Sequence, residues 1–524
     1  MIGHRLMASG VLLALILAAC SPDLGTSRGS ASTAAPTKPL PSKLTVVLTD
    51  EPTDLDSLRQ SSSLTRNQVA PNVIEPLAII DPATRKPQPH LAQSWTQVDS
   101  TTWRVALRAG VKFHGGETMT ADDVAASVRH TLAGGDKAAS SVATILLPTV
   151  VDVRKVDSLT VDIITKGLDA LFPLRLQFMT VSPASAIAKG VQSMATSPVG
   201  TGPYRFVNWT KGVNIALTRF EEYWGGPASI KDIEMTWRKE SAVRAGMAKT
   251  GEAQLVDQVT AEDTKGAPKI EAVSGIDIYA LLLNTTGQTQ GSILQDRRAR
   301  QAINYAIDRV AIRDKLYGGF ASLPKGNIVP PIVLGYNSSL DDYPYDPARA
   351  RALLKEAGAD GKNLSVLCTA GRRLNDVELC QLLASQFTAV GLKVDAKAVP
   401  QAQWLEINRP IGGNRPDIML GAPGNSAYDF ASVTGPLFSN KIGPGTFGVQ
   451  DDKLDQLVVA AQQQADVSKR EAQSLEITKY VYDMAYIAPL VVPQSIWSLA
   501  TNLEYKPRID GYMFLKDARF VARP

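Results

Sequence analysis

Histidine and cysteine are scarce in this chain: 4 and 3 in 524 residues. One histidine, His4, sits at the N-terminus, and the others are scattered at His90, His114 and His130. So few imidazoles exclude a histidine-built metal centre, and cysteines with no neighbouring histidine make a poor zinc site. No H-E-x-x-H or G-x-x-x-x-G-K-[ST] occurs, and no G-x-S-x-G elbow joins a strand to a helix. Neither catalysis nor an organic cofactor has a motif to stand on; the expectation is a binding protein, not an enzyme, with no metal and no cofactor. An excess of one charge is missing too. Lys and Arg number 55 against 51 Asp and Glu, for a net +4. A nucleic-acid binder concentrates positive charge far more than this. Beyond the N-terminus no apolar run approaches the roughly 20 residues that a membrane-spanning helix needs. The longest, 280–283 and 487–492, have the length of strands.

What is present begins with Arg5, which heads a short basic segment. Leu6 to Ala19 is then almost wholly apolar, and the stretch closes on Leu17-Ala18-Ala19-Cys20 before turning polar. That run is too short for a bilayer span and fits the hydrophobic part of a secretory signal. Its end resembles a bacterial lipobox, which implies removal of 1–19 and acylation of the Cys20 thiol. Residues 20–42 are rich in Ser, Thr, Ala, Pro and Gly, with nothing large to bury, and are expected to form a flexible tether. Acyl chains contribute about 0.8 kcal/mol per buried methylene. The expected place is therefore extracytoplasmic, lipid-anchored to the bacterial cell membrane on its envelope side.

The rest of the chain exceeds a single ordinary core, so two or three domains are expected. Lys43 to Leu48 (KLTVVL) has the β-branched composition of a strand, and Trp103 to Leu107 alternates like one. Thr120 opens a helix with a T-A-D-D capping box, and Val124 and Val128 set its apolar face. Cys368 ends the strand-like LSVLC, and Cys380 lies on the apolar face of VELCQLLASQF. In an oxidising compartment these two form either a disulfide, worth about 3 kcal/mol for so short a loop, or a pair of buried thiols.

Four blocks carry a resemblance. HLAQSW (90–95) and LRAGVKFHGGETMTADDV (107–124) come first. SPVGTGPYRFVNW (197–209) follows, with LTRFEEYWGGPASIKDIEM directly after it. RRARQAINYAIDRVAIRDKLYGG (297–319) and YDPARARALLKEAG (345–358) complete the series. In this order the chain resembles the extracytoplasmic solute-binding proteins of the peptide and nickel ABC-importer family. The local physics of the blocks is structural. Gly200 and Gly202 permit a turn that side chains would block, Ala299, Ile303, Ala306 and Ile307 share a helix face, and Asp346-Pro347 starts a helix.

The resemblance implies an α/β, bilobal periplasmic-binding-protein-like fold of the large peptide-binding class (type II). Lobe I would comprise 43–280 with 486–524 and contain an additional subdomain at 77–197; lobe II would be 281–485. YALLLN and YIAPLVVP would carry the chain between the lobes. The implied function is the substrate-binding component of an ABC importer. It would capture a peptide or peptide-like solute and deliver it, as a monomer, to permease subunits served by cytoplasmic ATPases. The alternatives are a non-peptide solute (an opine-like conjugate, a sugar or a metal chelate) and a nutrient-sensing or envelope-assembly lipoprotein.

In peptide-binding relatives a strand pairs with the peptide backbone, and an aspartate just after it meets the α-ammonium. The matching stretch is PDIMLGAPGNSAYDF (416–430), with Gly421, Ala422, Pro423, Gly424 and Asn425 facing the ligand. Asn425 stands where that aspartate stands. It can accept a hydrogen bond but brings no charge, and a charge-assisted bond is about twice as strong. Pro423 has no N–H to offer, and Ala422 replaces a large aromatic residue. Asp429, or the loop acids Asp50 and Glu51, could supply the missing charge. Arg372 and Arg373 could take a ligand carboxylate through their planar forks, the alternative being two solvated loop charges. Trp404 and Tyr428 either stack on ligand or pack into the core.

Overall fold

The computed structural model describes residues 40–59, 64–134, 142–286, 292–407, 415–422, 425, 427–439 and 448–522. The expected signal, Cys20 and most of the expected tether lie outside the described residues, as do Pro423 and Gly424.

Strand β1 (Lys43–Leu48) forms as its β-branched sequence requires, with Leu44, Val46, Val47 and Leu48 fully buried. The chain then builds a small antiparallel sheet from β2 (Ala92–Asp99), β3 (Thr102–Leu107), β4 (Val150–Asp157) and β5 (Thr160–Thr165), in the order β2-β3-β5-β4. Trp103, Val105 and Leu107 alternate inward on β3. Helix α1 (Ala121–Ala133) covers them with Val124 and Val128. The Thr120 N–H donates to the Asp123 carboxylate at 2.8 Å and the Thr120 hydroxyl to the same oxygen at 3.0 Å, which stops the helix from starting earlier.

The sequence blocks meet around one buried acid. Glu75 receives His90 Nε2 at 2.7 Å, the Tyr223 hydroxyl at 2.6 Å, the Trp224 indole N–H at 2.9 Å and the Thr201 hydroxyl at 2.7 Å. Burial alone would raise this carboxyl; His90, Tyr223 and Trp224 hold it below the usual range. Gly200 and Gly202 pass so close to the backbone of 72–74 that a Cβ on either would stand less than 3 Å from it. His114 joins the same turn, with Nε2 2.9 Å from the Gly202 carbonyl.

The large sheet has twelve strands. Its first half adds β6 (Tyr204–Thr210), β7 (Asn214–Arg219), β8 (Asp232–Trp237), β9 (Leu255–Val256), β10 (Lys269–Ser274) and β11 (Tyr279–Leu283). Helix α2 (Arg297–Tyr305) buries Ala299 and Ile303, with Ala306 and Ile307 just beyond it, and Asp346 caps helix α3 (Pro347–Glu356) by accepting the Arg349 N–H at 2.8 Å. There follow β12 (Asn363–Thr369), α4 (Asp376–Ala389), β13 (Lys393–Val399), α5 (Gln401–Ile407), β14 (Ile418–Gly421), α6 (Ala431–Phe438) and the long β15 (Ile487–Leu499). The main path runs β6-β7-β8-β1-β9-β15-β11-β14-β12-β13. Strand β15 is shared. Its first part pairs antiparallel with β11 (Leu282↔Ile487) and its last part with β10 (Ser274↔Gln494, Lys269↔Leu499). Strands β10 and β11 are thus consecutive in sequence, joined by 275–278, yet bonded to opposite ends of one strand. On one side of this crossing Val46, Leu217, Met235 and Leu499 share a core; on the other, Leu281, Ile303, Leu353, Leu383 and Leu490 share a second.

Candidate functional site

Strand β14 leads into the stretch that the sequence singled out. It lies between β11, antiparallel (Ala280↔Gly421), and β12, parallel (Val366↔Ile418). Gly421 packs closely there: a Cβ would stand 3.0 Å from Leu282 Cδ1, which would have to shift slightly. Ala422 is half-buried, and its carbonyl accepts a hydrogen bond from Arg373 at 3.4 Å.

Asn425 is buried with both ends of its amide in use. Its Nδ2 donates to the Asp429 carbonyl at 2.9 Å, and its Oδ1 accepts the Asp429 N–H at 3.2 Å. An ammonium reaching this oxygen would have to compete with a formed turn. Asp429 is engaged as well. One carboxylate oxygen accepts Arg470 Nε at 2.8 Å, the other the Ala431 N–H at 3.0 Å at the start of α6. Burial raises its carboxyl and Arg470 opposes that rise. Glu51 accepts the Trp209 indole N–H at 2.9 Å and the Gly212 N–H at 3.1 Å, whereas exposed Asp50 accepts, among the described residues, only the Glu51 amide at 2.8 Å. The acids expected to replace the missing charge thus divide: Asp429 and Glu51 serve the fold, and only Asp50 is open to solvent. Tyr428 is fully buried in a left-handed backbone (φ +55°), with Asp510 beside its phenol; burial raises that phenol far above its ordinary value. Trp404 on α5 packs into the core, and among the described residues its indole N–H has no acceptor.

The arginine pair stands on a loop fixed at both ends. Cys368 at the end of β12 is bonded to Cys380 on α4, with Cα atoms 6.1 Å apart, so the choice between a disulfide and two thiols falls to the disulfide. Inside that ring, buried Asp376 gathers the loop. It accepts the N–H groups of Gly371, Arg372 and Arg373 at 3.1, 3.1 and 3.2 Å, and the Thr369 hydroxyl at 2.9 Å. Asn375, at φ +59°, donates to the Leu316 carbonyl at 2.8 Å, and the Tyr317 hydroxyl donates to the Leu374 carbonyl at 3.3 Å. The backbone is fixed; Arg373 places its guanidinium on the Tyr279 ring and the Ala422 carbonyl, whereas Arg372 reaches solvent. Arg372 is open to solvent, yet surrounding protein and the neighbouring Arg373 push its pKa down to about 10. Arg373 lies over the Tyr279 ring at 5.4 Å. Sequence reasoning missed Asp376 and Tyr279; an acid opening a helix just after an Arg-Arg pair was the available signal for the first. No group of three or more potential metal ligands exists among the described residues.

Residues 86–444 match the family described as bacterial extracellular solute-binding proteins, family 5, middle part. The di/tripeptide-binding protein 2 of Pseudomonas aeruginosa (strain UCBPP-PA14) is 26% identical over 486 residues, which cover 86% of this chain and 90% of that one. Among solved structures, the periplasmic binding protein DppA of Helicobacter pylori, in complex with the peptide STSA, aligns with a TM-score of 0.78 at 21% identity, over 92% of this chain and 99% of that one. NikZ of Campylobacter jejuni, in complex with Ni(L-His), aligns with a TM-score of 0.74 at 19% identity, over 91% and 99%. The fold is the α/β bilobal fold of these proteins.

Proposed function

The chain belongs to the family 5 bacterial extracellular solute-binding proteins, and from that premise we propose that it is the lipid-anchored substrate-binding component of an ABC importer. In this reading lobe I (43–280 with 486–524) and lobe II (281–485) close on a peptide or peptide-like solute and present it to permease subunits driven by cytoplasmic ATPases. Members of the family bind and release; they are not enzymes. They work outside the cytoplasm, and no helix of the described residues is long and apolar enough to cross a membrane. Acylation at Cys20 would keep the protein at the membrane surface.

The observation that carries the reading is the arginine loop. Asp376 and the disulfide fix its backbone while Arg372 stays open to solvent. A guanidinium borne on a backbone fixed beforehand loses less freedom on binding than one on a loose loop, and its planar fork matches a carboxylate. Ala422, whose carbonyl Arg373 reaches, would stand beside it on lobe II, and lobe I would supply the facing wall. Solute that touches both walls binds the closed form better and draws the population toward it.

The test is the molecule that the protein carries. Protein purified from its host and gently denatured should release peptides, at about one per chain, visible by mass spectrometry. In a binding assay, Arg372→Gln should weaken a free-carboxylate peptide about tenfold or more, the loss expected for a charge-assisted bond. Release of an opine-like conjugate, a sugar or a metal chelate would replace the peptide and leave capture standing. A chain that carries nothing and binds no peptide pool would overturn the reading.

A further inference from the structure

The C-terminal tail closes a recess that the capture of a solute between lobes does not use. Its walls come from 57–79, from Gln177 and Thr180, and from 508–514; no residue of 281–485, the proposed second lobe, takes part. We propose that this recess is a second binding site, which takes a small monoanion: a carboxylate held by Arg66, Ser57 and Thr180, with a short apolar tail.

Arg66 stands on a single turn of π-helix, Leu64–Val69, a rare form that recurs at functional positions. It is 8% exposed. Arg175 and Arg470 are as deeply buried, and each pairs with an aspartate, at 2.6 and 2.8 Å. Arg66 has no such acid. Among the described residues its guanidinium makes one hydrogen bond, from Nη2 to the Tyr512 hydroxyl at 3.2 Å, and lies 5.0 Å from the centre of the Phe178 ring. A charge withdrawn from water without a counter-ion is costly, and a bound anion would remove that cost.

The recess supplies the other donors. Ser57 is 1% exposed, and its hydroxyl oxygen, like that of Thr180, is buried with no hydrogen-bond partner among the described residues. Both line the same recess as Arg66, and no acid does. Two idle hydroxyls beside an unpaired guanidinium are the donor set of a carboxylate. Arg508, also on the wall, is already held by Asp510, at 3.0 Å from Nε and 2.5 Å from Nη2, so one positive charge is left over. Ile74, Ile79 and the stacked rings of Tyr512 and Phe514, 5.8 Å apart, make the apolar part of the wall. That wall is set in advance: the Asn67 carbonyl accepts the Met513 N–H at 2.7 Å and Asn72 Oδ1 accepts the Leu515 N–H at 2.9 Å. The space, about 410 Å³ counted out through its open mouth, suits a short tail and not a peptide.

The experiment uses the full chain in detergent, with isobutyrate and its neutral isostere isobutyramide as probes, followed by ligand-observed NMR. Isobutyrate should bind about tenfold or more tighter than the amide. Arg66→Gln should erase that preference, and Arg66→Lys should keep part of it. Ser57→Ala and Thr180→Val remove hydroxyls that bond to nothing, so each should leave the melting temperature unchanged and weaken isobutyrate about threefold. Arg372→Gln separates this site from the arginine loop: the preference for isobutyrate should survive it. The assignment is overturned if acid and amide bind equally, if the preference persists in the Arg66→Gln protein or vanishes with Arg372→Gln, or if both hydroxyl variants bind as the unaltered protein does. None of these results bears on which solute the lobes enclose.

Discussion

Two buried carboxylates organise this molecule in different ways. Glu75 collects side chains: an imidazole, a phenol, an indole and a hydroxyl, from positions 90, 223, 224 and 201. Asp376 collects mostly backbone, three successive N–H groups and one hydroxyl from the few residues just before it. The first kind of site can be built only with particular residue types, so it writes itself into the sequence as recurring blocks. The second can be built under almost any sequence that puts an acid after a loop, and leaves hardly a trace. The recognisable part of this chain is therefore where it holds itself together, and the anonymous part is where it offers charge to solvent.

The comparison breaks hardest at Glu75. Glu75→Gln leaves four donors facing a group that is itself half donor, and should cost about 3–5 kcal/mol, the range for uncoupling a buried ionic network. A large fall in urea midpoint is expected, with peptide affinity of the protein still folded unchanged; a fall below 1 kcal/mol would mean that the cluster is dispensable. Next comes the loop. Replacing Cys368 and Cys380 together by serine should cost about 3 kcal/mol from the loosened unfolded chain. It should also weaken free-carboxylate peptides more than their amides, because the arginines lose a fixed base. Equal weakening of both would assign the disulfide to stability alone.

The smallest effect lies in His114, beside the Glu75 cluster. Burial pushes its pKa down from 6.5 to about 4. The native imidazole stays neutral where the unfolded one takes a proton, so its contribution is complete above pH 6.5 and is lost as pH falls toward 4. The expected loss is about 2 kcal/mol between pH 7 and pH 4.5, read as a drop in urea midpoint that His114→Asn should diminish. Asp257, raised by burial to about 6, works the other way: it favours the fold below pH 3.8 and loses that effect as pH rises through 6.

Much of the scaffold was legible for this reason. The alternation of Trp103, Val105 and Leu107, the acid at Thr120-Ala121-Asp122-Asp123, and the spacing of Ala299, Ile303, Ala306 and Ile307 each follow from a period or a cap that local chemistry enforces. Gly200 and Gly202 were legible as a tight turn, though not as the close approach to 72–74 that demands them. The site was harder. Asn425 could be placed at the right loop, but only the fold shows that its amide is turned inward on Asp429. Asp429 looked like a spare charge because Arg470, its partner, lies 41 residues away.

Strand β15 carries a consequence for the order in which the protein is completed. Strands β9, β10 and β11, which all pair with it, are synthesised midway through the chain, while β15 emerges almost at the end. Until then the central sheet has an empty slot, and the earlier half stays unlatched while translation proceeds. The last stretch of the chain to be made is thus the one that closes the sheet between its two halves.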